Sequence, residues 1–140
     1  MSFIINEENK VYDAEEIVKI IHDETEFDVW KDITSRTKRE DVLAFILQCD
    51  IEILKEELEE ELGMEEESEE GYISELMNRT DEYAVEIEEL MPEDMLAYYY
   101  AYEYDEDEGI IKTILVVSFD ELGERKLKDV GNRLITVVGD

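Results

Sequence analysis

The chain has 140 residues, 44% of them apolar, which is enough for one core, and its 13 Lys and Arg stand against 42 Asp and Glu for a net charge of −29. No stretch approaches the ~18 apolar residues of a membrane span, and residues 1–10 lack the basic start of a secretory signal. Cys49 has no second cysteine to pair with, so the composition predicts one acidic domain over 1–140, in a reducing cytoplasm and away from membranes.

Phe3 to Ile5 and Val11 to Tyr12 are short β-favouring runs around a polar turn, and predict a small hairpin. Asp13 and Glu16 have the spacing of a capping box, ahead of Ile17, Val18, Ile20 and Ile21 at helical spacing. A first helix over Ala14 to Asp23 follows, with His22 on its outer side. Phe27, Trp30 and Ile33 lie three apart, a pattern that predicts a short helical turn with Trp30 tucked into the core.

Thr37 and Glu40 form a second capping box. Val42, Leu43, Phe45, Ile46, Cys49, Ile53, Leu54, Leu58 and Leu62 then share one broad helical face, predicting a long second helix that ends at Gly63. Cys49, flanked by Ile46, Leu47 and Ile51, reads as a small core hydrophobe.

Residues 65–71 contain five Glu and nothing apolar, and predict a flexible acidic loop. From Tyr72 to Met91 apolar positions recur with heptad-like spacing until Pro92 stops them, which defines a third helix. Leu96 to Tyr104 and Ile110 to Phe119 flank a Gly-containing acidic turn and predict an antiparallel hairpin. A short helix within Glu121 to Asn132 and a last strand over Arg133 to Val138 complete the pattern. The expected fold class is α+β, with three main helices, a short N-terminal hairpin and a C-terminal antiparallel hairpin or sheet.

The acidity is regional. Residues 50–108 carry 25 acids against Lys55 and Arg79, a net of −23, whereas the remaining 81 residues are nearly balanced. Adaptation to salt would spread the charge over the whole surface, and eight Tyr with clear periodicity oppose disorder. From Asp50 to Glu61 the helix is ~18 Å long, so its net of −6 places about one charge per 3 Å, close to the ~3.4 Å per phosphate of one DNA strand. Glu75, Glu82, Glu86 and Glu89 add a second stripe on the third helix.

Chemistry finds little to work with. One His excludes multi-His metal sites, His22 on the outer side of the first helix reads as a surface residue rather than a catalyst, and no G-x-G-x-x-G or Walker-type loop is present. Asp105, Asp107 and Gly109 suggest a calcium loop, but its sixth and twelfth positions would be Ile110 and Val116 instead of Gly and Glu. Among 42 acids nothing selects a catalytic pair. Neither a catalytic residue, a metal nor a cofactor is expected.

In charge and size the chain resembles the DNA-mimic inhibitors of phages and mobile elements, small acidic proteins that occupy the nucleic-acid channels of restriction, CRISPR or repair enzymes. The resemblance implies a non-enzymatic inhibitor or regulator whose partner is a basic nucleic-acid-binding protein, with no direct binding of nucleic acid. The residues expected at that contact are Glu52, Glu56, Glu57, Glu60 and Glu61, Glu75, Glu82, Glu86 and Glu89, with Asp105 and Asp107 at the hairpin tip. Tyr98, Tyr100 and Tyr102 would supply uncharged anchors. The alternative is an immunity protein, antitoxin or assembly adaptor that grips a basic protein through the Tyr-rich surface, which is also a surface on which two copies could form a homodimer.

Overall fold

The structure, a computed structural model, describes residues 3–6, 8–62 and 69–138, and for 57–62, 69–72 and 138 the backbone alone. It is a mixed α+β fold in which helices cover both faces of an antiparallel sheet. Strands β1 (Phe3–Ile5) and β2 (Val11–Asp13) pair as the predicted hairpin. Asp13 then caps α1 (Ala14–Glu24): its carboxylate accepts the Glu15 N–H at 2.9 Å, while Glu16 accepts the Asp13 N–H at 3.5 Å.

The second sheet has the order β3-β4-β6-β5, built from β3 (Phe27–Asp32), β4 (Leu43–Asp50), β5 (Met95–Asp105) and β6 (Ile110–Phe119). Its first face packs on α1, on α2 (Ile51–Leu62), on α3 (Glu69–Leu90) and on the small hairpin, around Ile17, Ile21, Phe45, Leu54, Leu76 and Ile87. Its second face packs on α4 (Glu124–Val138) through Ala44, Ile114, Val116, Leu127, Val130 and Leu134. Gly131 of α4 lies directly over Tyr98, where a Cβ would stand 2.5 Å from the ring.

Several expectations are corrected. Leu43–Asp50 is the central strand β4 and not the first half of a long helix. It pairs with β3 on one side and β6 on the other, and both its faces are buried. A strand covered on two faces reads as an unbroken apolar run, which periodicity alone cannot separate from a buried helix. Thr37 does not cap that helix: it closes a 3-10 turn over Thr34–Thr37, donating its hydroxyl to Thr34 O at 2.8 Å. Only Ile51–Leu62 is helical, started by Asp50, whose carboxylate accepts the Glu52 N–H at 2.8 Å. Gly63, the expected end of that helix, lies outside the described residues.

Phe27–Asp32 is strand β3, and Trp30 stands at a bulge between Val29 and Lys31 that turns its side chain out of the core. Arg133–Val138 continues α4 instead of forming a strand, because Leu127, Val130 and Leu134 align at spacings of three and four on the sheet while Val137 faces outward. Of the expected acidic loop 65–71, residues 69–71 belong to α3 and the rest lie outside the described residues. The described helices therefore number four where three main ones were expected.

Candidate partner-binding surface

Six acids against Lys55 lie on α2 and eight against Arg79 on α3, whereas α4 carries four bases against two acids. Because α3 and α4 pack on opposite faces of the sheet, the tertiary fold separates the charge. The acids of α3 whose side chains are described divide in two. Leu76, Thr80, Ala84 and Ile87 are buried, while Glu82, Glu86 and Glu89 are exposed and Glu75 partly so, forming the outer stripe. On α2, Glu52 and Glu56 are exposed; Glu57, Glu60 and Glu61 have no described side chain.

Asp81 and Glu88, seven residues apart, stand toward the edge of the sheet, Asp81 partly buried and Glu88 exposed with its carboxyl only partly desolvated. Asp81 accepts the Ala101 N–H of β5 at 3.0 Å. Burial pushes the Asp81 carboxyl above its ordinary value of 3.8, although that hydrogen bond opposes the shift. Burial also pushes Glu88 above 4.5, with the negative charge of Glu124 adding to it and the hydroxyl of Tyr99 opposing.

Toward the hairpin-tip end of the second face two rows run across the sheet: Lys31, Ile46, Ile114 and Tyr100, of which Ile46 and Ile114 are buried in the α4 core, then Asp28, Gln48, Lys112 and Glu103. Trp30 is 52% exposed here and Tyr100 48%. Lys112 occupies the centre, its ammonium 4.8 Å from the Trp30 ring centroid, 3.1 Å from Glu103 and 3.9 Å from Asp105. Lys31 approaches the same ring at 5.5 Å.

The expected contact residues are thus spread over three places. Glu52, Glu56, Glu75, Glu82, Glu86 and Glu89 lie on α2 and α3. Asp105 is paired with Lys112 at the base of the tip, and Asp107 is exposed within it. Among the tyrosines, Tyr100 is open. Tyr98 lies under α4, donating to Asn132 Oδ1 at 3.0 Å, and Tyr102 packs on the second core, where burial pushes its hydroxyl up to about 12. Sequence reading missed Trp30 and Lys112 as surface partners, since they meet only through the β4–β6 pairing. It also missed Asp81 and Glu88, although their seven-residue spacing beside the apolar stripe was a usable signal.

Asp81 and Glu88 have raised folded pKa values, so their contribution to stability is full below the unfolded values and is lost as pH rises through the folded ones. Asp41 beside Arg39 and Asp94 beside Lys10 are held below 3.8, so their contribution is present above that value and is lost as pH falls through their folded values. The urea midpoint is therefore expected to rise as pH falls from about 7.5 toward the ordinary carboxylate values of 3.8 and 4.5, and to fall again as pH drops below 3.8. Asp81→Asn, which keeps an acceptor for Ala101, should raise the midpoint at neutral pH and shrink the gain on acidification; an unchanged profile would contradict the assignment.

Among the described residues no three His, Cys, Asp or Glu side chains gather as metal ligands, and no helix is long and apolar enough to cross a membrane. Comparison with known proteins finds no matching family model, no similar curated protein and no similar solved structure.

Proposed function

We propose that this protein is a non-enzymatic acidic inhibitor or regulator that occupies the basic nucleic-acid-binding site of another protein, in the manner of anti-restriction and anti-CRISPR proteins. The observation that carries this reading is the separation of charge by the fold. The acids of α2 and the outer stripe of α3 lie on one side of the sheet, and the net positive α4 lies on the other. Like charges at i,i+4 cost a helix a few tenths of a kcal/mol per pair, and Glu52/Glu56 and Glu82/Glu86 both have that spacing. A groove lined with Lys and Arg to hold phosphates is attracted to such a face, and it releases its bound anions on contact.

Immobilised protein, presented to a lysate containing its partner, tests this. A basic nucleic-acid enzyme that is retained, and released both by rising salt and by excess DNA, is the expected result. Retention that resists salt and ignores DNA would reject phosphate mimicry.

A second reading, an immunity protein, antitoxin or adaptor, is favoured by the exposed Trp30 and Tyr100 at the uncovered end of the sheet. It predicts binding that survives high salt and is lost in Trp30→Ala and Tyr100→Ala.

A further inference from the structure

Strand β5 is an end strand of its sheet among the described residues. In an antiparallel pair the main-chain groups of alternate residues point toward the partner strand and away from it. The Ala101 N–H points away, since Asp81 accepts it, and the register from Met95 to Ala101 is unbroken. The N–H and C=O groups of Met95, Ala97 and Tyr99 therefore point outward as well. Pro92 O accepts the Met95 N–H at 3.0 Å, so one end of this edge is closed by the Pro92 turn and the other by Asp81. Between them lies an open window centred on Ala97 and Tyr99.

Ala97, with Met95, Leu96 and Tyr98, forms the floor of a cleft of about 370 Å³ walled by Glu88 of α3 and by α4, on opposite faces of the sheet, and Tyr99 continues the open edge beside it. Glu88 stands on one wall and Glu124 on the other, with Lys128 one turn along α4; two carboxylates thus face one ammonium. Leu96 and Leu127 supply the apolar surface.

We infer that this edge accepts an extended Lys- or Arg-bearing segment of the partner as an added strand, the Ala97 and Tyr99 main chain supplying hydrogen bonds and Glu88 and Glu124 receiving its cationic side chains. The inference rests on the partner being basic and assigns it a second contact, distinct from the outer face of α2 and α3. An acidic segment is excluded by both carboxylates. A second copy of this chain, at −29, is disfavoured by its own charge. Strand addition also supplies what a charged helix face lacks, a contact fixed in register by main-chain bonds.

The test titrates the intact protein with an acetylated, amidated pentapeptide alternating lysine and valine, and with its glutamate counterpart, following backbone amides by NMR and their hydrogen exchange. The basic peptide is expected to slow exchange at Ala97 and Tyr99 by about tenfold, and the acidic one to leave both unchanged. Ala97→Pro removes an outward donor without breaking the β5–β6 ladder, and should weaken binding by about tenfold while the β6 amide pattern is retained. If that variant does not fold, exchange in the native protein still decides.

Saturation by the basic peptide with Ala97 and Tyr99 unprotected would overturn the edge assignment. If the perturbed amides then lay on α2 and α3, a basic partner would still stand. Protection at the edge, combined with a natural partner that is unaffected by charge reversal on α2 and α3, would instead keep the edge and remove phosphate mimicry.

Discussion

Changing Glu52, Glu56, Glu82 and Glu86 together to lysine is expected to slow association with the basic partner by about 10²-fold or more at low salt, with much of the difference gone at high salt. All four side chains are exposed, two on α2 and two on α3, and none makes a described contact with the core. Glu82 is the one with a described ion pair, 3.5 Å from Arg79 on its own helix; its own side chain is exposed while that of Arg79 is largely covered. The substitutions therefore remove field without removing packing. Because the replaced carboxylates sit among others of the same sign, the urea midpoint should hold or rise. Stopped-flow association at two ionic strengths checks this, and an unchanged rate at low salt would show that the helical face does not steer the partner.

Phe45→Ala is expected to cost about 3–5 kcal/mol, a large part of the ~5–15 kcal/mol that stabilises a domain. Phe45 is fully buried on the central strand, in register with Asp32 on one side and Leu115 on the other, and its ring fills the core beneath α1 and α3. A strand held on both sides cannot move to close the cavity. Val85→Ala, on the exposed side of α3, should change stability by less than about 0.5 kcal/mol and serves as the reference. Urea unfolding of both variants measures the contrast. A loss at Phe45 below about 1 kcal/mol would mean that this residue does not sit at the centre of a two-faced sheet.

The candidate surface was legible in part. Spacing alone placed Glu75, Glu82, Glu86 and Glu89 in one stripe beside the buried stripe of α3, because a helix repeats locally and needs no knowledge of its neighbours. The meeting of Trp30, Lys112 and Tyr100 was not legible, since it depends on β4 lying between β3 and β6 and on a bulge that re-aims one side chain. The open window at Ala97 and Tyr99 was equally hidden. Which main-chain groups face outward follows from pairing register, which no side-chain pattern within β5 encodes.

By itself the sequence determined the mixed α+β class, the N-terminal hairpin, α1 with its capping box, α3 ended by Pro92, and the β5–β6 hairpin around an acidic turn. Each is specified by a local signal: a cap, a breaker, or a period within one element. Only the tertiary structure decided Leu43–Asp50 and Arg133–Val138, in opposite directions. The first became a strand although its apolar spacing fitted a helix, because burial on both faces suits the centre of a sheet. The second became a helix although it is rich in β-branched residues, because one apolar stripe was needed to cover the sheet's second face. Propensity within one segment differs by tenths of a kcal/mol per residue, whereas burying or exposing a single large side chain changes the balance by about 1.5–3 kcal/mol, so packing wins where the two disagree.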